Sequence, residues 1–205
     1  MTLPVHLQSF TIGNQQFSIV VPEDGAIQQL YHNNRSGAYW ARVWPASIGL
    51  CLFLEAHPHY ILSKNILELA AGLGLPGLYA SKSATHVCIT DREPQAVDCV
   101  LLSVKHMGSS NITAATLDWK DAVNAPLPDV LLLSDVNYEP PVFEELLKMI
   151  RYFLQKKVTV IISTPQRLVA KDFINNLLPS VTQEWHTGVS LYEKETPVSI
   201  FVLES

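Results

Sequence analysis

The stretch NILELAAGLGLPGL, residues 65–78, indicates how this chain folds. It begins with a short apolar run, Ile66–Leu69, that carries a single acid, Glu68, and then enters a turn made mostly of alanine and glycine. A segment with helical character follows from Leu75. A buried strand, a turn of small residues and a helix together are typical of an open α/β sheet, where ligands bind beyond the carboxyl ends of the strands.

Downstream of this stretch, apolar strand-like runs alternate with helical segments. The predicted strands are Ile66–Leu69, His86–Thr90, Thr113–Leu117, Val130–Ser134 and Val158–Ser163. The predicted helices are Leu75–Ser83, Pro94–Met107, Pro141–Leu154 and Gln166–Leu178. Such alternation indicates a parallel sheet with helices on both faces. Residues 181–205 contain two strand-like runs with no helix between them, which predicts an antiparallel pair at the sheet edge.

The N-terminal part of the chain has a different pattern. The segment LQSFTIGNQQFSIVVPE predicts a β-hairpin that turns at Gly13 and Asn14, and a helix is expected from Pro45. We therefore predict a single α/β domain over residues 1–205. An N-terminal hairpin and cap would occupy residues 1–40, and a Rossmann-like core with a seven-stranded, mostly parallel sheet would occupy residues 41–205.

Composition narrows the class of protein. Hydrophobic residues make up 48% of the 205 residues and charged residues 16%, which fits a globular domain and excludes a disordered chain. The formal net charge of −5 gives no overall attraction to nucleic acid or to an anionic membrane. The three cysteines have no metal-binding spacing, and we expect reduced thiols. Without a signal peptide or a long apolar span in the sequence, we expect a cytoplasmic protein.

The turn after the predicted strand Ile66–Leu69 indicates the kind of ligand that this site would bind. Ala70, Ala71 and Gly72 are small enough to let a ligand approach the backbone closely, although a tight strand-to-helix connection is the alternative. Glu68 would repel the pyrophosphate of a dinucleotide, whereas it suits a cationic cofactor. S-adenosyl-L-methionine has a sulfonium, an ammonium and ribose hydroxyls, and it has no phosphate. Glu68 would either contact that cofactor or fix the turn through backbone N–H groups.

Polar residues also follow the next three strands. Asp91 can accept hydrogen bonds from ribose hydroxyls, or it can cap the helix that follows. Asp118 can accept from an exocyclic amine while Trp119 offers a flat wall, unless that tryptophan is purely structural. Asp135 and Tyr138 follow the predicted strand Val130–Ser134 and face the same crevice as the small-residue turn. The alternative for Asp135 is that it only forms a turn or caps the next helix.

Four motifs in this order resemble the seven-β-strand S-adenosylmethionine-dependent methyltransferases, and more closely the lysine methyltransferase-like group called methyltransferase family 16. They are VWPAS at residues 43–47, LELAAGLGLPGL at 67–78, LDW at 117–119 and SDVNYEP at 134–140. The turn STPQR at 163–167 resembles the group more weakly. This chain has Ala70 where the family usually has glycine, and alanine adopts a positive φ less readily.

The resemblance implies a role for each matching residue. Trp44 would border the methionine end of the cofactor, and Ala70, Ala71 and Gly72 would form the turn around it. Asp91 would hold the ribose, Asp118 and Trp119 the adenine, and Ser134 would lie under the methyl-donor region. Asp135 and Tyr138 would face the methyl acceptor. No metal is required.

The predicted function is S-adenosylmethionine-dependent methyl transfer to a lysine amine of a protein. A small-molecule N-methyltransferase and a non-catalytic cofactor-binding protein are the alternatives. The segment from Asp135 to Tyr138 lacks the two prolines usual in nucleic-acid amino-methyltransferases, so no nucleic-acid partner is expected. We expect no membrane partner either, and a monomer.

Overall fold

The computed structural model describes residues 3–33 and 36–205. Residues 1–2 and 34–35 of the predicted N-terminal hairpin and cap lie outside the described residues. The strands are β1 (Val5–Ile12), β2 (Gln15–Pro22), β3 (Asn65–Leu69), β4 (His86–Asp91), β5 (Ile112–Thr116), β6 (Val130–Ser134), β7 (Thr159–Pro165), β8 (Val181–Leu191) and β9 (Lys194–Leu203). The α-helices are α1 (Asp24–Asn33), α2 (Pro45–Ala56), α3 (Leu75–Ala80), α4 (Pro94–Met107), α5 (Phe143–Gln155) and α6 (Lys171–Leu177).

The main sheet has seven strands in the order β5-β4-β3-β6-β7-β9-β8. Strands β3 to β7 are parallel, and β9 runs antiparallel to both β7 and β8. The predicted fold class, including the antiparallel C-terminal pair and the separate N-terminal hairpin, is confirmed. The chain starts the sheet at β3, moves outward to β5 and returns to β6. The carboxyl ends of β3 and β6 therefore flank the switch point where open α/β sheets bind ligands.

Alternating side chains of the central strands build two cores. Ile66 of β3 and Leu132 of β6 face one apolar cluster, which includes residues of α2, α3 and α4. Leu67 and Leu133 face the opposite cluster, which includes residues of α5 and α6. This alternation follows from the two-residue period of a strand and confirms helices on both faces. No helix in the described part of the chain is long and apolar enough to cross a bilayer.

The N-terminal hairpin packs on the same side as α4. Ile12 and Ile19 of the hairpin are fully buried in the first cluster, and the Val20 N–H donates to Ser103 Oγ of α4 at 2.8 Å. The hairpin and the sheet thus share one core. The division of the domain into an N-terminal hairpin and cap, residues 1–40, and a Rossmann-like core, residues 41–205, stays a prediction.

Two differences from the predicted elements go beyond small shifts at the ends of strands and helices. Helix α1 was not predicted, and the predicted helix Gln166–Leu178 begins only at Lys171, after a 3₁₀ turn at Leu168–Ala170. Strand β7 runs on to Pro165, and the Gln166 N–H donates to the carbonyl of Pro197 in β9 at 3.2 Å. This backbone pairing keeps the chain extended where helix was expected.

Candidate functional site

A cavity of about 360 Å³ opens at the carboxyl ends of β3, β4 and β6. Every predicted site residue except Glu68 lines it: Trp44, Ala70, Ala71, Gly72, Asp91, Asp118, Trp119, Ser134, Asp135 and Tyr138. Its volume lies in the range of about 300–1,000 Å³ that is common for small-molecule sites. The structure therefore brings residues from four strand ends and from the loop before α2 into one concave site.

The turn after β3 depends on left-handed backbone geometry. Ala70 has φ 51°, Gly72 φ 56° and Gly74 φ 69°. A Cβ atom added to Gly72 would lie 3.1 Å from the carbonyl oxygen of Trp40, so glycine lets the chain pass closely there. Ala70 has a Cβ and adopts this conformation nonetheless, which costs an L-residue roughly 1–2 kcal/mol.

Glu68 lies beneath the turn and outside the cavity. Its side chain is fully buried, and Oε2 accepts a hydrogen bond from the Gly77 N–H of α3 at 2.8 Å. Burial raises the pKa of Glu68 to about 8, and the nearby charge of Asp91 adds to the increase. The prediction that Glu68 contacts the cofactor directly is therefore wrong, and so is the prediction that it offers the cofactor a negative charge. Its position on β3 points toward α3, so it supports the turn through the helix backbone.

Asp91 ties the end of β4 to the glycine turn. Oδ2 accepts from the Gly72 N–H at 2.7 Å, and Oδ1 accepts from the Glu93 N–H at 2.9 Å. Burial raises the pKa of Asp91, and these backbone hydrogen bonds oppose the increase. A carboxylate offers about four acceptor positions, which leaves capacity for a ligand. Asp91 thus lines the cavity wall, whereas the helix cap considered as an alternative is wrong, because Glu93 is the N-cap residue of α4 and the Asp91 hydrogen bond reaches only the N–H of that residue.

Asp118 and Trp119 form another part of the wall, after β5. Asp118 Oδ1 accepts from the Lys120 N–H at 3.0 Å and caps the 3₁₀ helix Trp119–Asn124. Trp119 is half-buried, and it both lines the cavity and packs against the apolar cluster of α5 and α6. The structural and the ligand-facing interpretations of this tryptophan are therefore compatible.

An ion pair occupies the end of the cavity beyond β6. Asp135 is 8% exposed and has φ 54°, and its backbone N–H donates to Ser163 O of β7 at 2.9 Å. The Arg167 guanidinium donates to both carboxylate oxygens, at 2.6 Å and 3.0 Å. Burial raises the pKa of Asp135, and Arg167 opposes that shift. Sequence analysis missed Arg167, although it ends the STPQR turn.

Aromatic rings close the neighbouring wall. The ring of Tyr39 meets Tyr138 and Trp44 edge-on, with ring centres 5.4 Å and 6.2 Å apart. The indole N–H of Trp44 donates to Tyr39 O at 2.9 Å. Burial raises the pKa of Tyr138 to about 12, with a further contribution from Glu139. The phenol therefore stays protonated at neutral pH. Sequence analysis also missed Tyr39, which precedes the VWPAS motif.

Ser134 ends β6 on the floor of the cavity. Its hydroxyl lies 3.5 Å from that of Ser163 on β7, and Ser163 Oγ donates to Ala46 O at 2.8 Å. The floor is thereby joined to the first turn of α2. Among the residues with described positions, no group of His, Cys, Asp and Glu has the arrangement of a metal site.

The chain is similar in sequence to a family and to individual proteins that are described as methyltransferases. Residues 27–179 match the protein family described as lysine methyltransferase. The chain is 31% identical to Histone-arginine methyltransferase METTL23 of Rattus norvegicus, over 60% of this chain and 57% of that protein. It is 28% identical to EEF1A lysine methyltransferase 3 of Mus musculus, over 78% of this chain and 70% of that protein.

Similarity to solved structures concerns the fold. The magnesium protoporphyrin IX methyltransferase (ChlM) of Synechocystis PCC 6803, solved with bound SAM, has a TM-score of 0.63 at 14% identity. The similarity covers 89% of this chain and 98% of that chain. The matches to the four METTL23 proteins extend over 51–63% of their length, so the chain spans less than two thirds of these relatives.

Proposed function

Because the chain belongs to the lysine methyltransferase family, we propose that it transfers a methyl group from S-adenosyl-L-methionine to a side-chain amine of a protein. The membership confirms the family resemblance drawn from the four sequence motifs, all of which lie within the matched residues 27–179. It also supports the predicted S-adenosylmethionine-dependent class. The acceptor and the role of each residue are part of the proposal.

The charges that line the cavity suit this cofactor. Among the residues with described positions, four acids and three arginines line the cavity, a formal excess of one negative charge, and the cofactor carries a net charge of +1. The Asp91 carboxylate accepts from the Gly72 N–H and retains acceptor capacity for ribose hydroxyls. We place the adenine beside Asp118 and Trp119, and the methionyl group beside Trp44.

One observation carries the proposal: Asp135 and Tyr138 lie in the same cavity as the glycine turn. When bound, the cofactor supplies an electrophilic methyl group for an in-line displacement. A lysine ε-amine has a pKa of about 10.4, so it must lose a proton before it has a free lone pair. In our proposal the Asp135 carboxylate aligns the amine and accepts its proton, and the Tyr138 hydroxyl positions it. Holding two reactants in line contributes roughly 7–11 kcal/mol in favourable cases.

An arginine acceptor is the second candidate. The Asp135 carboxylate already accepts a guanidinium through two parallel hydrogen bonds, from Arg167. A substrate guanidinium has the same planar pair of donors. The similarity to proteins named histone-arginine methyltransferases agrees with this candidate.

Incubation of a cell extract with radiolabelled cofactor tests the proposed function. The Asp135→Ala variant at equal concentration is the matched control, because it removes the acceptor-side carboxylate. A protein band that is labelled by the natural chain and not by the variant would support the proposal. Hydrolysis of that band would separate methyl-lysine from methyl-arginine. Label in small molecules alone would favour the small-molecule alternative, and no transfer would favour a non-catalytic binding protein.

Location and assembly complete the proposal. We propose that the protein works in the cytoplasm as a monomer, on a protein or small-molecule acceptor and without a nucleic-acid or membrane partner. The net charge of −5 supports the lack of attraction to polyanions. Light scattering of the purified protein measures its oligomeric state, and imaging of the tagged protein in cells tests its location.

A further inference from the structure

Arg42 lines the cavity from the segment that precedes α2, and its side chain is exposed. It is two residues before Trp44, and both residues line the cavity. The same segment passes against the turn, because a Cβ atom on Gly72 would lie 3.1 Å from the Trp40 carbonyl oxygen. Arg42 thus belongs to a segment whose backbone approaches the turn, whereas Asp118 and Trp119 follow β5.

The arginines that line the cavity in the described part of the chain, Arg42, Arg92 and Arg167, differ in their partners. Arg167 donates to Asp135 at 2.6 Å, and the Arg92 Nε atom lies 3.5 Å from Glu93 Oε1. Within residues 3–33 and 36–205, no carboxylate oxygen forms an ion pair with Arg42 within 4.0 Å. The side chain of Arg42 is exposed, so its guanidinium is available to a ligand.

We infer that Arg42 binds the α-carboxylate of the methionyl group of S-adenosylmethionine. This inference rests on the proposed function, in which the adenine lies beside Asp118 and the ribose beside Asp91. The methionyl group then lies toward Trp44 and the glycine turn, where Arg42 supplies a cation without a carboxylate partner of its own. A guanidinium and a carboxylate pair through two parallel hydrogen bonds, which gives direction as well as attraction.

Arg42 therefore determines selectivity at one end of the cofactor. Ligands that keep the α-carboxylate bind more tightly than ligands without it, and Arg42 is responsible for the difference. A residue that only supported the fold would affect both kinds of ligand equally. This contrast separates the binding role from a structural role.

The test compares S-adenosylmethionine with decarboxylated S-adenosylmethionine, which keeps the adenosine, the sulfonium and the ammonium. Calorimetric titration gives the dissociation constants for the natural chain, for Arg42→Met and for Arg42→Lys. The matched control is Arg92→Met, because Arg92 faces the same cavity and already has a carboxylate neighbour. Melting temperatures show whether each variant folds.

We expect the natural chain to prefer the carboxylated ligand by about tenfold or more, as for one charge-assisted hydrogen bond. Arg42→Met should abolish that preference, Arg42→Lys should restore part of it, and Arg92→Met should keep it. An unchanged preference in Arg42→Met, or no preference in the natural chain, would overturn the inference about Arg42. If the folded natural chain binds neither ligand, the proposed function itself fails, which is a different outcome.

Discussion

Arg167 holds the carboxylate of Asp135 through two parallel hydrogen bonds, from Nη1 to Oδ1 at 2.6 Å and from Nη2 to Oδ2 at 3.0 Å. The pair forms because β6 and β7 are neighbours in parallel register, with Ser134 opposite Ser163. The residues that follow the two strand ends therefore meet. Burial raises the pKa of Asp135, and the Arg167 guanidinium opposes that shift and holds the carboxylate in one orientation. In our proposed mechanism, Asp135 therefore orients the amine and accepts its proton.

Asp135→Ala should strongly reduce methyl transfer and leave the dissociation constant of the cofactor within a few-fold. A positioned acid or base typically contributes about 10²- to 10⁴-fold in rate. Initial rates with the labelled acceptor and calorimetry with S-adenosylhomocysteine measure the two effects. Tyr138→Phe should cost less, because the ring still shapes the wall. A destabilised Asp135→Ala variant with the natural rate per folded molecule would instead assign Asp135 to a structural cap.

Arg167→Met should lower the free energy of unfolding by about 1–3 kcal/mol, since it leaves a buried carboxylate without its charged donor. The Asp135→Asn/Arg167→Met double variant should lose less than the sum of the single variants. Urea unfolding of all four proteins gives the coupling, which we expect at about 1–3 kcal/mol. Arg151→Met is the control, because Arg151 is exposed and donates a long hydrogen bond to Asn176 Oδ1 at 3.4 Å. Additive effects at Asp135 and Arg167 would show that the pair contributes nothing to stability.

Asp91→Ala should weaken binding of S-adenosylhomocysteine by about tenfold to a hundredfold, as expected for a lost hydrogen bond to a charged acceptor. It should also destabilise the fold, because the N–H groups of Gly72 and Glu93 lose their acceptor. Asp91→Asn should show smaller changes, since its amide oxygen still accepts. Calorimetry and thermal unfolding measure both effects. Natural affinity in a folded Asp91→Ala variant would remove this residue from the ligand site.

Ala70→Gly should raise the free energy of unfolding by up to about 1 kcal/mol, because relief of the left-handed strain exceeds the added entropy of the unfolded glycine. Cofactor binding should tighten or stay unchanged. Ala71→Gly is the matched control: its φ is not positive, so the same substitution should destabilise by about 0.4–1 kcal/mol. Equal losses in both variants would mean that Ala70 is unstrained in solution.

Glu68→Gln should reduce the dependence of stability on pH. The pKa of Glu68 is raised from 4.5 to about 8 in the folded protein. The stabilisation that Glu68 provides is fully present below its unfolded pKa of 4.5. It is lost as the pH rises through the folded pKa of about 8, because in this interval the folded state holds a proton that the unfolded chain has released. Stability of the natural chain should therefore fall between pH 4.5 and about 8.

The glutamine variant keeps an acceptor for Gly77 and does not titrate, so its stability should fall less over the same interval. Urea unfolding at the two pH values measures the slopes. Glu144→Gln is the control, because the Lys148 ammonium lowers the pKa of Glu144 and places its titration below this interval. Parallel slopes for the natural chain and Glu68→Gln would show that Glu68 does not retain its proton in the folded state.

Much of the fold could be predicted from local sequence. The predicted helix Pro94–Met107 and strand Val130–Ser134 have the observed bounds, because each has a clear hydrophobic period and a distinct start or end. The predicted helix after β7 begins too early, since pairing with β9 across the sheet keeps Gln166 extended. Contacts with a strand thirty residues further along the chain have no local signal.

The amino-acid sequence by itself determined the alternation of strands and helices, the small-residue turn and the acids at the strand ends. Those features depend on neighbouring residues and on side-chain size. Only the tertiary structure decided that Glu68 is buried under α3, that Asp91 holds the turn, and that Arg167 and Tyr39 join the cavity. Each of these depends on which strand lies beside which and on burial, since distant segments meet only when the sheet is assembled and water is excluded.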